Sequence, residues 1–416
     1  MRIAMAHTPL WGRGGAERQL LRLAIELQKL GNEVEIFTPF VNEKTCYPDL
    51  LKQVTVNVIP QSRFVPFNPG SEPSISSTSK VGEITDRKNR FQRIAVHQFY
   101  TSGLPSMLSL GKIIPKGFDI INNHNAPTEW AAFIAKRRLK VPVVWMCNEP
   151  PSWFYFGGKR GIGEKISWPL FEIWDKTSVK YIDEILVLSH AAQGLVRNVY
   201  NLPSRVVRTG LDVDKFVDVS GYELRKKLGL EKDFVLLQVA NLAPAKRQFD
   251  SIMALHYLAK DHGNVKLVLD GTGPQEELRR FSEKLGVKDK VVFSHAKCDE
   301  ELAEVYAVCD VFVFPPQITW GLAVVEAMAS SKPVIVAKGC GVAEIIQDNV
   351  NGMQVEYAKP KAIAEKVESL INDPSLRREI GKNAFEYVKD NLSWEKFAKN
   401  MESVFEQAIS SFRKKS

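Results

Sequence analysis

Pro315-Pro316-Gln317-Ile318-Thr319-Trp320-Gly321-Leu322-Ala323-Val324-Val325-Glu326-Ala327-Met328-Ala329 is the stretch whose reading decides the fold. An apolar run, Val311 to Phe314, precedes it, and another, Pro333 to Ala337, follows. The pattern predicts strand, tight turn, short apolar helix and strand again. A helix opening at a strand's end aims unpaired main-chain N–H groups and a partial positive charge at one point. A phosphate group binds there without any special side chain. Glu326 is a lone acid in an apolar run, about one turn into the helix, and the vicinal hydroxyls of a sugar would give it a partner.

Working outward, short β-branched runs alternate with helical patterns through both halves, as in parallel sheets built from βαβ units. In the first half the expected strands are Arg2–His7, Glu33–Phe37, Thr55–Ile59, Asp119–Asn122, Val141–Cys147 and Glu184–Leu188. In the second they are Phe234–Ala240, Val265–Leu269, Val291–Phe293, Val311–Phe314 and Pro333–Ala337. A seam near Pro203 to Phe216 divides an α/β chain into two doubly wound, Rossmann-like domains, residues 1–205 and 206–390. Residues 391–416 form a C-terminal helix expected to pack back toward the first domain. Ligands of such sheets bind at the carboxyl ends of strands, so a cleft between the domains is expected. Two segments break the rhythm: residues 60 to 98, rich in Pro, Ser and Asn, and residues 149 to 180, rich in aromatics.

A chain of 416 residues exceeds one compact core, and its 44% hydrophobic and 25% charged residues suit a water-soluble globular protein. Met1 to His7 reads as a strand rather than a signal peptide, and no run is long and apolar enough to span a bilayer. The expected compartment is the cytoplasm. The five cysteines, Cys46, Cys147, Cys298, Cys309 and Cys340, show no metal-ligand spacing, so free thiols are expected and no metal site. A net charge of +8 points to polyanionic partners. With no nucleic-acid-binding signature, phosphorylated substrates and an anionic membrane surface rank above nucleic acid.

Six short patterns, in order, resemble the family 4 retaining glycosyltransferases of the GT-B fold. Gly14-Gly15-Ala16-Glu17-Arg18 is similar to the family's GG-x-E-R opening, and Arg208 to Phe216 to its passage into the second domain. Asn241 to Lys246 stands where the family has R-L-x-x-x-K. Gly271-Thr272-Gly273-Pro274 matches G-x-G-P, and Trp320-Gly321-Leu322 with Glu326-Ala327-Met328-Ala329 matches F-G-L-x-x-x-E-A-M-A. Gly339 to Ile345 matches G-G-x-x-E-I. Two positions depart: Asn241 replaces an arginine on the phosphate side, and Ile318 replaces the first glutamate of the E-x7-E pair. Lys246 and Arg247 are left to supply the positive charge.

The resemblance implies a metal-independent hexosyltransferase, leaning to mannose, that uses a GDP- or UDP-sugar as donor substrate and no cofactor. Lys246, expected to open the helix after the strand Phe234–Ala240, is then the cation on the diphosphate leaving group, against its plain reading as a surface lysine. Glu326 becomes the ribose ligand, against an acid tied to a neighbouring strand. The N–H groups of Trp320, Gly321 and Leu322 face the phosphates, with Asn241, Ile318, Thr319 and Gly271 beside them. His295, Ala296 and Lys297 hold the base through their backbone, and Gly339 to Val342 touch the sugar. Gly14 and Gly15 face the donor or acceptor, or simply make a tight turn. His124 steadies charge on the transferred sugar, or is a structural histidine.

Asn148, Glu149 and Trp153 are expected on the acceptor side, facing a saccharide or lipid-linked saccharide. Trp153 to Phe156, Trp168, Phe171 and Trp174, with Lys159, Arg160 and Arg87, Lys88, Arg90 and Arg93, suit a peripheral membrane surface; packing on the domain core is the alternative. From a different class, a catalytically weak or inactive nucleotide-sugar-binding protein also fits, given Asn241 and Ile318. An epimerase of the same fold would need acid and base carboxylates that do not stand out.

Overall fold

The computed structural model describes residues 1–59, 106–148, 150, 162–318 and 320–415, with the main chain alone for 162–168 and 415. Glu149, Trp153, Thr319, the side chain of Trp168 and both basic groups, Lys159 with Arg160 and Arg87 to Arg93, lie outside the described residues. The chain forms two compact units. Unit 1 comprises Met1–Val187, Ala192–Val207 and Ala398–Ser416, and unit 2 comprises Leu188–Ala191 and Arg208–Phe397.

Unit 1 is built on a seven-stranded sheet, all of whose pairings are parallel. Its strands are β1 (Arg2–His7), β2 (Glu33–Thr38), β3 (Thr55–Val58), β4 (Ile120–His124), β5 (Val143–Met146), β6 (Glu184–Val187) and β7 (Arg205–Val206), in the order β3-β2-β1-β4-β5-β6-β7. Every residue of β4 and β5 is buried, as expected of strands covered by helices on both faces. The final helix, Trp394–Lys415, buries Phe397, Met401, Val404, Phe405 and Ala408 along one stripe. From Ala398 onward it belongs to unit 1, where Glu402 Oε1 accepts from Asn32 at 2.6 Å. Phe171 and Trp174 pack against the unit 1 core, stacked on Trp130 and edge-on to Phe133, so for these two the core reading holds.

Two acids are fully buried together in that unit: Glu129 on helix Thr128–Leu139 and Asp175 on helix Ile162–Val179. Asp175 accepts from Trp130 Nε1 at 3.0 Å and from the Tyr200 hydroxyl at 2.8 Å. Burial, reinforced by the facing Asp175, pushes the Glu129 carboxyl well above its ordinary value. Burial raises Asp175 too, but its hydrogen-bond donors oppose the rise. As a carboxylate, Glu129 would have two buried oxygens without a donor. Protonated, it donates to Asp175, and the pair shares one proton.

Unit 2 carries a six-stranded parallel sheet: β8 (Phe234–Val239), β9 (Val265–Asp270), β10 (Val291–Ser294), β11 (Val311–Phe314), β12 (Val334–Ala337) and β13 (Met353–Val355). The order is β10-β9-β8-β11-β12-β13. The short edge strands β7 and β13 were not expected, because two or three residues carry no readable periodicity. Among the described residues no helix is long and apolar enough to cross a membrane.

Candidate functional site

In unit 2 the strand order reverses between β8 and β11, which lie side by side. The loops leaving their carboxyl ends, 240–247 and 315–321, therefore flank a topological switch point, where open α/β sheets bind ligands. Helix Leu322–Ala329 starts there with Gly321 as its N-cap and no side-chain cap. The N–H groups of Leu322 and Ala323 have no acceptor within the helix, while Val324 N donates to the Gly321 carbonyl at 3.0 Å. A Cβ on Gly321 would lie 3.1 Å from Val342 and 3.2 Å from both Phe314 and Val324, so only hydrogen fits comfortably. The turn is braced twice: Gly341 N donates to the Ile318 carbonyl at 2.8 Å, and Gln317 Nε2 to that of Lys338 at 2.7 Å. Glu326 is 5% exposed, and the Tyr306 hydroxyl donates to its Oε2 at 2.7 Å.

The β8 loop differs from expectation at Lys246. Rather than opening the α-helix, Lys246 ends a one-turn 3-10 helix, Pro244–Lys246, and the α-helix begins at Gln248. Gln238 Nε2 donates to the Lys246 carbonyl at 2.7 Å and Gln248 Nε2 to that of Asn241 at 2.9 Å, tying the loop between strand and helix. Burial raises the Cys340 thiol's pKa, and backbone hydrogen bonds at Ile318 and Val342, with the Lys246 charge after them, oppose the rise. Arg247 is turned elsewhere: its guanidinium pairs with Asp250 and lies 4.6 Å over the Tyr357 ring. Its charge is used within the fold rather than offered beside Lys246.

Asn241 is exposed at the end of β8, and its Oδ1 accepts from Thr272 at 3.2 Å. Gly271 has φ +146°, and a Cβ there would clash with the Ala240 backbone, so the turn after β9 presses on the β8 loop. In the loop His295-Ala296-Lys297 two main-chain donors already have partners. Ala296 N donates to Asp270 at 3.1 Å and Lys297 N to Glu301 at 2.7 Å. These two main-chain donors are taken, so a base would meet the loop's carbonyl oxygens.

Unit 1 has its switch point between β1 and β4, where His7 and His124 are register partners. Gly14 caps helix Gly15–Lys29 and accepts from the Tyr47 hydroxyl at 3.3 Å through its carbonyl, while Gly15 is exposed. His124 was expected beyond its strand; it is instead the last residue of β4 and fully buried, with Nε2 2.8 Å from Asn122 Oδ1. Asn148 Nδ2 reaches Gln19 Oε1 at 3.0 Å and Asn125 Oδ1 at 2.7 Å, and Asn125 Nδ2 lies 3.1 Å from His7 Nε2. Burial lowers the pKa of both imidazoles, and the neighbouring His7 lowers that of His124 further. The sequence reading missed His7, Gln19 and Asn125 here and Tyr306 and Asp270 in unit 2. His7 and Asn125 had a signal, since each ends or follows a strand at its carboxyl end.

The two sheets, each with strands to either side of its switch point, define a protein of the GT-B class. Residues 13–116 and 103–215 match the profile of Glycosyltransferase Family 4, and residues 222–387 that of Glycosyl transferases group 1. An uncharacterised glycosyltransferase of Methanocaldococcus jannaschii is 30% identical over 54% of this chain and 60% of its own length, so the chain spans less than two thirds of that relative. A GDP-mannose-dependent alpha-(1-6)-phosphatidylinositol monomannoside mannosyltransferase of Mycolicibacterium smegmatis is 25% identical over 66% of this chain and 75% of its own. Anabaena HepE, solved in complex with UDP-glucose, superposes with a TM-score of 0.70 over 98% of this chain and 100% of its own, at 19% identity, a likeness of fold. The chain belongs to the family 4, group 1 glycosyltransferases.

Proposed function

We propose that the chain is a retaining glycosyltransferase that moves a hexose, mannose in the first instance, from a nucleotide-diphosphate sugar to a saccharide or lipid-linked saccharide. The uncapped start of helix Leu322–Ala329 at the unit 2 switch point, with Glu326 buried one turn further in, carries this reading. The N–H groups of Trp320, Gly321 and Leu322 hold the diphosphate, and Lys246 neutralises it as the glycosidic bond breaks. The Glu326 carboxylate, positioned by the Tyr306 hydroxyl, accepts from the ribose hydroxyls. The acceptor hydroxyl attacks from the face the diphosphate leaves, and a phosphate oxygen takes its proton, so no metal is required. The mannosyltransferase relative supports a GDP-sugar and a lipid-borne acceptor, while the UDP-glucose complex of HepE supports UDP as the other candidate. Leu170 and Ile173, 66% and 63% exposed on helix Ile162–Val179, support peripheral contact with the inner face of a membrane.

Thermal unfolding with a panel of GDP- and UDP-sugars tests the donor site, because a ligand of the native state raises Tm. Glu326→Ala should abolish the shift from the best ligand. Transfer of labelled sugar should persist with a chelator present, and the product should keep the donor's anomeric configuration. A second reading, a nucleotide-sugar-binding protein with little or no turnover, is favoured by Asn241 and Ile318. Binding without transfer or hydrolysis would establish it.

A further inference from the structure

Two carboxylates strip the loop after β10 of main-chain donors. β10 is an edge strand, so its outer side has no neighbouring strand. Asp270, buried at the end of β9, takes the Ala296 N–H at 3.1 Å. Glu301, exposed on the first turn of helix Asp299–Val308, takes that of Lys297 at 2.7 Å. Among the described residues, no donor reaches the carbonyls of His295, Ala296 and Lys297, and the His295 N–H has no acceptor. An ordinary stretch of chain offers as many donors as acceptors. This one offers a ligand the N–H of His295 alone against three carbonyl oxygens.

We propose that Asp270 and Glu301 set the base specificity of the donor site by consuming these two N–H groups, and that the base selected is guanine. The pairing edge of guanine carries two donors, N1–H and the 2-amino group, beside one acceptor, O6, which is the complement of the loop. Uracil carries two acceptors, O2 and O4, around the single donor N3–H, so one of its oxygens finds no N–H. Adenine brings its 6-amino group as a single donor and leaves a carbonyl unpaired. A polar group that loses its partner on binding costs affinity, most of all where the site is built to pair it. Glu301 is a positioning residue here, since it holds the Lys297 N–H rather than the base. A carboxylate reaching back from the first turn also caps a helix. Capping alone would change stability and leave the order of the bases as it is. The presence of a nucleotide in unit 2 rests on the transferase reading; the surplus of acceptors does not.

Calorimetric titration of the full chain with GDP, inosine diphosphate, UDP and ADP reads this preference. GDP should bind tightest, with each of the others about tenfold weaker. Inosine diphosphate differs from GDP only in lacking the 2-amino group, so its deficit isolates that donor. Glu301→Ala returns the Lys297 N–H to the loop and should narrow the ratio of UDP to GDP dissociation constants at least about threefold. Glu301→Gln keeps an oxygen for that N–H and should hold the native ratio. UDP binding as tightly as GDP, inosine diphosphate matching GDP, or an unchanged ratio in Glu301→Ala would each overturn the proposal. The first two are read on the native sequence, so they stand even if a variant fails to fold. Binding of all four without preference would overturn the guanine assignment and leave the donor site standing. No binding by any of the four would sink the donor site, and the base preference with it.

Discussion

Glu129→Gln tests the shared proton in the unit 1 core. A carboxyl whose folded pKa is raised holds its proton in the native state at pH values where the unfolded chain has lost it. The native state then binds more protons than the unfolded one, and stability falls as pH rises from the ordinary glutamate range toward the folded pKa. For one proton the slope is up to about 1.4 kcal/mol per pH unit. The amide of Glu129→Gln keeps the side chain's shape, still donates N–H to Asp175 and has no proton to lose. Its stability relative to the native sequence should therefore grow with pH at up to that slope, beginning near pH about 4.5. Urea unfolding across a pH series measures the difference. Glu129→Ala is the control: it removes the donor and leaves a cavity, and should cost about 2–4 kcal/mol. Parallel stability curves for Glu129→Gln and the native sequence would refute the shared proton.

Gly321→Ala places a methyl group 3.1–3.2 Å from three side chains. It should cost about 1–3 kcal/mol in urea unfolding and shrink the Tm shift given by nucleotide sugars; a full shift would count against the N–H site. Lys246→Ala should weaken nucleotide-sugar binding about tenfold, most at low salt, whereas Arg247→Ala, its charge held by Asp250, should weaken it less than about threefold. Equal losses in calorimetric titration would show that both cations face the phosphates. Burial lowers the pKa of His7 and His124 below their unfolded value, so the stability they contribute is present above pH about 6.5 and lost as pH falls through the folded pKa values. A Tm of the Glu129→Gln variant that does not fall between pH about 7 and about 5 would contradict this.

Local pattern made the architecture legible. Val311 to Phe314, Pro333 to Ala337 and their counterparts are β-branched runs of readable length, and the alternation of such runs with helical periods leaves a doubly wound α/β fold as the economical outcome. The turn at Gly321 and the acid at Glu326 were equally visible, since a glycine and a charge in an apolar stretch stand out in one dimension. The strands β7 and β13 were not visible, because two or three residues complete no period and their pairing is set by the sheet they join. The same limit moved the helix start from Lys246 to Gln248, where glutamine amides from strand and helix decide the loop's path.

Residue identity by itself determined the fold class and the family, and it is the basis for where the proposed donor-binding groups fall along the chain. Which groups remain free to bind was decided only in three dimensions. Arg247 looks as available as Lys246 until Asp250 and Tyr357 are seen to hold it, and the N–H groups of Ala296 and Lys297 look free until Asp270 and Glu301 are seen to take them. His7, Gln19, Asn125 and Asn148 come from four separate stretches of sequence and meet only because β1, β4 and β5 lie side by side. Hydrogen-bond capacity is consumed by whatever neighbour the fold supplies, and that neighbour is rarely close in the chain.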